Sequence, residues 1–131
     1  AYGSNLHHFQ MNRRCKDSIF IKKINLKDFK LTFRSKYRAA DIESKKNSLV
    51  PGGLFEISKS DEKKLDVYED YPVLYKKFYF FYYGKKVMTY TMVQKTPFKF
   101  PTERYLNIVK KGYIDCDLNK KYLMKALKNN C

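Results

Sequence analysis

Apolar residues spaced two apart dominate the middle of this chain. In "SIFIKKINLKDFKLTF", Ile19 and Ile21, then Phe29, Leu31 and Phe33, alternate with polar positions. That period predicts half-buried strands, with a break near Asn25 to Asp28. The polar stretch "RSKYRAADIESKKNS" that follows reads as a long loop. "LVPGGLFEIS" reads as a short apolar strand entered through Pro51, Gly52 and Gly53. "VLYKKFYFFYYGKKVMTYTMVQ" predicts a hairpin turning near Gly84, its aromatic residues favouring strand.

Helical signals lie outside this centre. Asn5 is placed to cap a short helix through "LHHFQMNRRC", and Ser58 or Ser60 to cap "SKSDEKKLDVYED", with Asp61 and Glu62 in its first turn. Thr102 heads a helix through "RYLNIVKK" that Gly112 is expected to stop. Leu118, Tyr122, Leu123, Ala126 and Leu127 share one face of a terminal docking helix. No βαβ alternation, repeat or linker is present. The pattern predicts one α+β domain over residues 1–131: a compact mixed, mostly antiparallel, barrel-like sheet with flanking short helices.

Composition narrows the function classes. The chain has 131 residues, 44% of them hydrophobic, enough for a core and against wholesale disorder. A net charge of +15 raises the question of a nucleic-acid partner. Lysine greatly outnumbers arginine, however, and the lysines are spread along the whole chain, so a solvated basic surface is expected and no specific nucleic acid. No apolar run approaches the roughly 18 residues of a membrane span, and no secretory signal is visible in a sequence that begins at Ala1. Cys15, Cys116 and Cys131 show no zinc spacing and read as free thiols of a cytoplasmic protein.

Several residues invite a chemical reading. In "AYGSNL", Gly3 permits a sharp bend, so that backbone N–H groups near Gly3, Ser4 and Asn5 either converge on an anion or simply start a helix. His7 and His8 point about 100° apart on a helix and make a poor chelating pair. Cys15 has basic neighbours that would lower its pKa, but no motif pairs it with a histidine. The run "FYFFYYG" fits strand packing better than base stacking. By spacing alone, Glu69 belongs to the charged series Asp61, Glu62, Asp66, Glu69 and Asp70 on a solvated helix.

Taken in order, "YGSNL", "NLKDFKLTF", "VPGGLFEIS", "LDVYEDYPVLY" and "ERYLNIVKKGY" resemble the γ-glutamylcyclotransferase-like superfamily over nearly the whole chain. The resemblance implies a compact barrel with flanking helices, and release of 5-oxoproline from a γ-glutamyl amino acid or amine without metal or organic cofactor. It carries the catalytic carboxylate to Glu69; Asp66, three residues earlier on the same helical face, reads as a cap or support and not a second base. The substrate loop maps to Ala1, Tyr2, Gly3 and Ser4 with adjoining Asn5 and Leu6, and pocket tyrosines to Tyr90 and Tyr105. The expected partner is a small γ-glutamyl compound, and the expected state a monomer or weak dimer. A non-catalytic binding module on the same scaffold is the alternative. Asp70 stands where the family commonly has glycine, and the family's first strand begins upstream of Tyr2.

Overall fold

The computed structural model describes residues 1–128, so Cys131 lies outside the described residues. After a 3-10 turn at Ser4–Leu6 come helix α1 (His8–Arg14), strands β1 (Ile19–Arg34) and β2 (Ala39–Glu56), and helix α2 (Lys59–Tyr68). Strands β3 (Tyr75–Tyr82) and β4 (Lys85–Met92) follow, then helices α3 (Glu103–Asp115) and α4 (Lys120–Lys128). The expected α+β class holds, with antiparallel pairing throughout. Its barrel-like element consists of two separate hairpins, β1–β2 and β3–β4, whose ladders do not join among the described residues.

Local signals set several elements. Ser58 accepts from the N–H of Asp61, and Asp61 accepts in return from the N–H of Ser58, a reciprocal cap that starts α2. Thr102 accepts from the N–H of Tyr105 to start α3. Tyr83 and Gly84, with φ of 47° and 78°, form the two-residue turn that matches strand twist.

The first hairpin departs from expectation. Ile19 and Ile21 are exposed, while Phe20, Ile24 and Leu26 turn inward. Beyond Asp28 the inward set is Phe29, Leu31 and Phe33. A register shift between Lys27 and Phe29 accompanies the change of phase: Asp28 takes a φ of 65° and is the single β1 residue facing residues 45–48 of β2, and beyond it the side chains on the buried face come from the other parity. The chain breaks where it was expected to, but as a bulge within one strand. The segment expected to be a loop is largely strand, with Ala40, Asp41 and Ile42 buried in β2. Its polar member is satisfied internally. Asp41 accepts from Thr91 Oγ1 (3.0 Å), the N–H of Met92 (2.8 Å) and Lys95 Nζ (2.9 Å).

Two core clusters result. One gathers Leu6, Phe33, Val50, Val109, Tyr113 and Leu123 under α3 and α4. The other joins Met11, Cys15, Leu65, Tyr75, Tyr90 and Met92 beneath α1 and α2. Gly112 does not stop α3. It lies inside the helix, where a Cβ would sit 2.5 Å from Leu6 Cβ and 2.8 Å from the His7 nitrogen. The residue read as a helix stop is therefore the point where the N-terminal turn lies against α3.

Candidate active site

The C-terminus of α2 places the central carboxylate. Glu69 caps this helix, the N–H of Tyr71 reaches the Asp66 carbonyl at 2.9 Å, and the N–H of Asp70 reaches that of Val67 at 3.1 Å. This paired closure requires a left-handed residue just past the cap. Asp70 supplies it with a φ of 52°, a conformation open to glycine and, less readily, to Asp or Asn. The departure from glycine thus has a backbone meaning, and the Asp70 side chain is exposed at the cleft mouth.

Glu69 lines a cleft of about 840 Å³ that draws its walls from both core clusters. Burial raises its pKa to about 7, against the opposing pull of the Arg14 charge and a hydrogen bond from Asn5. The negative end of α2 acts in the same direction as burial. The expectation from spacing, a carboxylate on a solvated helix face, is therefore corrected: the chain turns inward at the end of α2.

Facing Glu69 is the N-terminal loop. Asn5 Nδ2 donates to Glu69 Oε1 at 3.2 Å, and Arg14 Nη1 donates to Asn5 Oδ1 at 2.7 Å and to Ser4 Oγ at 3.2 Å. The arginine thereby fixes which end of the amide faces the carboxylate. Its guanidinium lies 3.7 Å from the Tyr68 ring centre, held by cation–π attraction. Within the 3-10 turn, the N–H groups of Leu6 and His7 are taken by the carbonyls of Gly3 and Ser4. Those of Ser4 and Asn5 have no acceptor among the described residues.

Two expectations about this loop are corrected. Gly3 has a φ of −123°, so left-handed freedom is not what the position uses. A Cβ there would lie 3.1 Å from both Ala40 Cβ and the Tyr105 hydroxyl, and close approach to β2 is the reason for glycine. Asn5 caps nothing. His7 caps α1 by accepting from the N–H of Gln10, leaving the Asn5 amide for Glu69.

The tyrosines form the remaining polar wall. Tyr2 donates to the Tyr90 carbonyl at 2.6 Å, Tyr75 to the Ala40 carbonyl at 2.7 Å, and Tyr90 to Asp66 at 2.6 Å. Burial pushes all three hydroxyls above the usual tyrosine range, so they are neutral donors. Tyr105 differs: its oxygen accepts from the N–H of Ala40 at 3.0 Å, and its own proton has no acceptor among the described residues.

Ala1, Tyr2, Gly3, Ser4, Asn5, Glu69, Tyr90 and Tyr105 thus share one cleft. Leu6 does not. Its side chain is fully buried in the core against Gly112. Asp66 receives Tyr90 and Lys77, as a support would. His7 and His8 separate, His8 packing against Phe20 and Phe55. Cys15 is buried with its thiol pushed up to about 11, the reverse of what its basic neighbours suggested, because desolvation outweighs them. Arg14, Tyr68 and Tyr75 were not singled out from the sequence. An arginine in a lysine-rich chain was the one available hint for Arg14, since a planar fork suits two acceptors.

The family model for gamma-glutamyl cyclotransferase, AIG2-like, matches residues 1–111. The chain belongs to this family. Among solved structures, a gamma-glutamyl cyclotransferase is 26% identical with a TM-score of 0.78, over 100% of this chain and 85% of that one. An uncharacterised protein from Homo sapiens is equally identical, at 26%, with a TM-score of 0.77 and the same 100% and 85% coverage. YkqA from Bacillus subtilis, at 19% identity, shares the fold with a TM-score of 0.80 over 99% of this chain and 53% of its own. No curated protein matches. The gamma-glutamyl cyclotransferase fold accounts for the antiparallel hairpins and short helices described above, and it supports a function of the same broad kind. No helix among the described residues is long and apolar enough to cross a membrane.

Proposed function

We propose that this protein cyclises the γ-glutamyl group of a γ-glutamyl amino acid or amine to 5-oxoproline, with Glu69 as general acid and base. The observation that carries the reading is a carboxylate with a pKa of about 7 lining the same cleft as the unpaired N–H groups of Ser4 and Asn5.

The substrate's α-amine attacks its own δ-carbonyl carbon. A C–N bond forms, the carbonyl π electrons move onto oxygen, and collapse of that oxyanion expels the leaving amine. Because nucleophile and electrophile are tethered, holding the folded conformer supplies roughly 7–11 kcal/mol of the barrier. An ammonium has no lone pair to attack with, so it first loses one proton to solvent; as the C–N bond forms, Glu69 takes a second proton from the ring nitrogen and passes it to the departing nitrogen, leaving a neutral lactam and a neutral amine. A group titrating near neutrality is suited to both transfers. The N–H groups of Ser4 and Asn5 and the hydroxyl of Tyr105 are the donors available to the oxyanion or the substrate carboxylate. Arg14 and Asn5 orient Glu69, and Asp66 with Tyr90 forms the wall behind it.

The test is chromatographic detection of 5-oxoproline from a panel of γ-glutamyl dipeptides and amines. Glu69→Gln keeps the hydrogen-bond acceptor for Asn5 but cannot carry a proton. It is expected to lower kcat about 10²- to 10⁴-fold while the substrate still binds. A folded wild-type protein that binds γ-glutamyl compounds and releases no 5-oxoproline would refute catalysis and leave a binding module.

A further inference from the structure

Resting on the proposed ring closure, we infer that Tyr37, in the turn between β1 and β2, is a specificity-determining residue whose ring packs against the substituent of the leaving amine.

Hydrogen bonds at the start of β2 bring this turn to the reacting groups. Three residues past Tyr37, the N–H of Ala40 donates to the Tyr105 hydroxyl at 3.0 Å, and the Ala40 carbonyl accepts from Tyr75 at 2.7 Å. Three residues span at most about 11 Å, which bounds the distance from the Tyr37 backbone to this polar wall. Tyr75 opens β3 directly after the segment that leaves Glu69. The bond that joins β2 to β3 therefore also draws the Tyr37 turn toward residues 69–74, and Tyr37, Glu69, Asp70 and Leu74 line one cleft.

Tyr37 lines that cleft while 56% exposed and belongs to neither core cluster, so it stands at the rim. Tyr68 and Asp70, on either side of Glu69, are exposed as well. Solvent thus begins one residue from the proposed base. A substituent on the nitrogen of the reacting carbonyl reaches this rim and meets the Tyr37 ring, whose flat apolar face is available for contact.

A rim residue discriminates between substrates only where its backbone is held. Arg34, at the base of the turn and 4% exposed, donates to the Thr96 carbonyl at 3.1 Å and pairs with Asp41 and Glu43. The N–H of Ser35 donates to Thr96 Oγ1 at 3.1 Å, and that of Arg38 closes the turn on the Ser35 carbonyl at 3.0 Å. Ring closure uses none of these buried charges. Their effect is to fix the turn that carries Tyr37.

The experiment compares kcat and KM of wild type, Tyr37→Ala and Tyr37→Phe for γ-glutamyl methylamide, too short to reach the ring, and γ-glutamyl isopentylamide. Tyr37→Ala is expected to lower kcat/KM for the isopentylamide about three- to tenfold through KM, and to leave the methylamide within about twofold. Tyr37→Phe keeps the ring and is expected to keep the wild-type ratio of the two amides. An isopentylamide-to-methylamide ratio equal in wild type and Tyr37→Ala would overturn the inference and leave ring closure intact. So would a Tyr37→Phe ratio as low as that of Tyr37→Ala. If no amide yields 5-oxoproline, calorimetric binding of the same two compounds separates the two ideas. Weaker binding of the isopentylamide alone to Tyr37→Ala would uphold the contact as catalysis falls, and binding that is unmoved or absent would refute both.

Discussion

Replacing Glu69 by glutamine should stabilise the protein at neutral and alkaline pH and change nothing in acid. The folded carboxyl titrates at about 7 and the unfolded one at 4.5. Below the lower value both states hold the proton and the residue contributes no pH dependence. Between the two, the unfolded chain releases its proton while the folded protein keeps it, so stability falls as pH rises. Above the upper value both are ionised and the whole cost of the buried charge is present. The gap of roughly 2.5 units, at 1.36 kcal/mol each, comes to about 3 kcal/mol. Glutamine occupies the same volume, still accepts from Asn5, and carries no charge. Urea unfolding of both proteins from about pH 4 to about pH 8.5 reads the effect directly. The difference should be near zero at the acid end and grow to about 3 kcal/mol, on the order of 10 °C in Tm. Parallel stability curves across that range would show that Glu69 titrates as an ordinary exposed carboxylate, and the electrostatic argument for its role would fail with it.

Arg14→Met should raise the Glu69 pKa further, on the order of one unit, since the guanidinium charge is the largest influence holding it down; carbon-13 titration of the Glu69 carboxyl reads this, and an unmoved midpoint would contradict it. Asp70→Gly should stabilise by up to about 1 kcal/mol by relieving the left-handed backbone, whereas Asp70→Val should cost more than about 1 kcal/mol, both measured as urea midpoints. Gly112→Ala should destabilise by about 1–3 kcal/mol, because its methyl group has no room between α3 and the Leu6–His7 backbone; a melt matching wild type would show that this contact gives way easily.

Some of what the chain spelled out locally came through, although Asn5 caps no helix and Gly112 does not stop α3. Ser58 with Asp61, Thr102, and Tyr83 with Gly84 act within a few residues of themselves, so caps and turn could be read without knowing the fold. The amphipathic face of α4 is likewise a local pattern, with Leu123 and Ala126 buried as expected. The motif positions that lead to Glu69, Tyr90 and Tyr105 were legible too, as identities in order along the chain.

Other features were decided only when distant segments met. The buried face of β1 changes phase at the Asp28 bulge, and no periodicity count could register it, since alternation continues on either side in opposite phase. Asp41 made its neighbourhood look like a surface loop because its partners Thr91, Met92 and Lys95 lie some fifty residues away. Arg14 became part of the site through Ser4 and Asn5 across a helix turn, and through stacking on Tyr68 from another element. Above all, a glutamate amid other acids has an ordinary affinity for its proton until the fold removes water from it. Sequence determined which carboxylate stands at the end of α2; desolvation, which is a property of the assembled molecule, decided that this one titrates near neutrality.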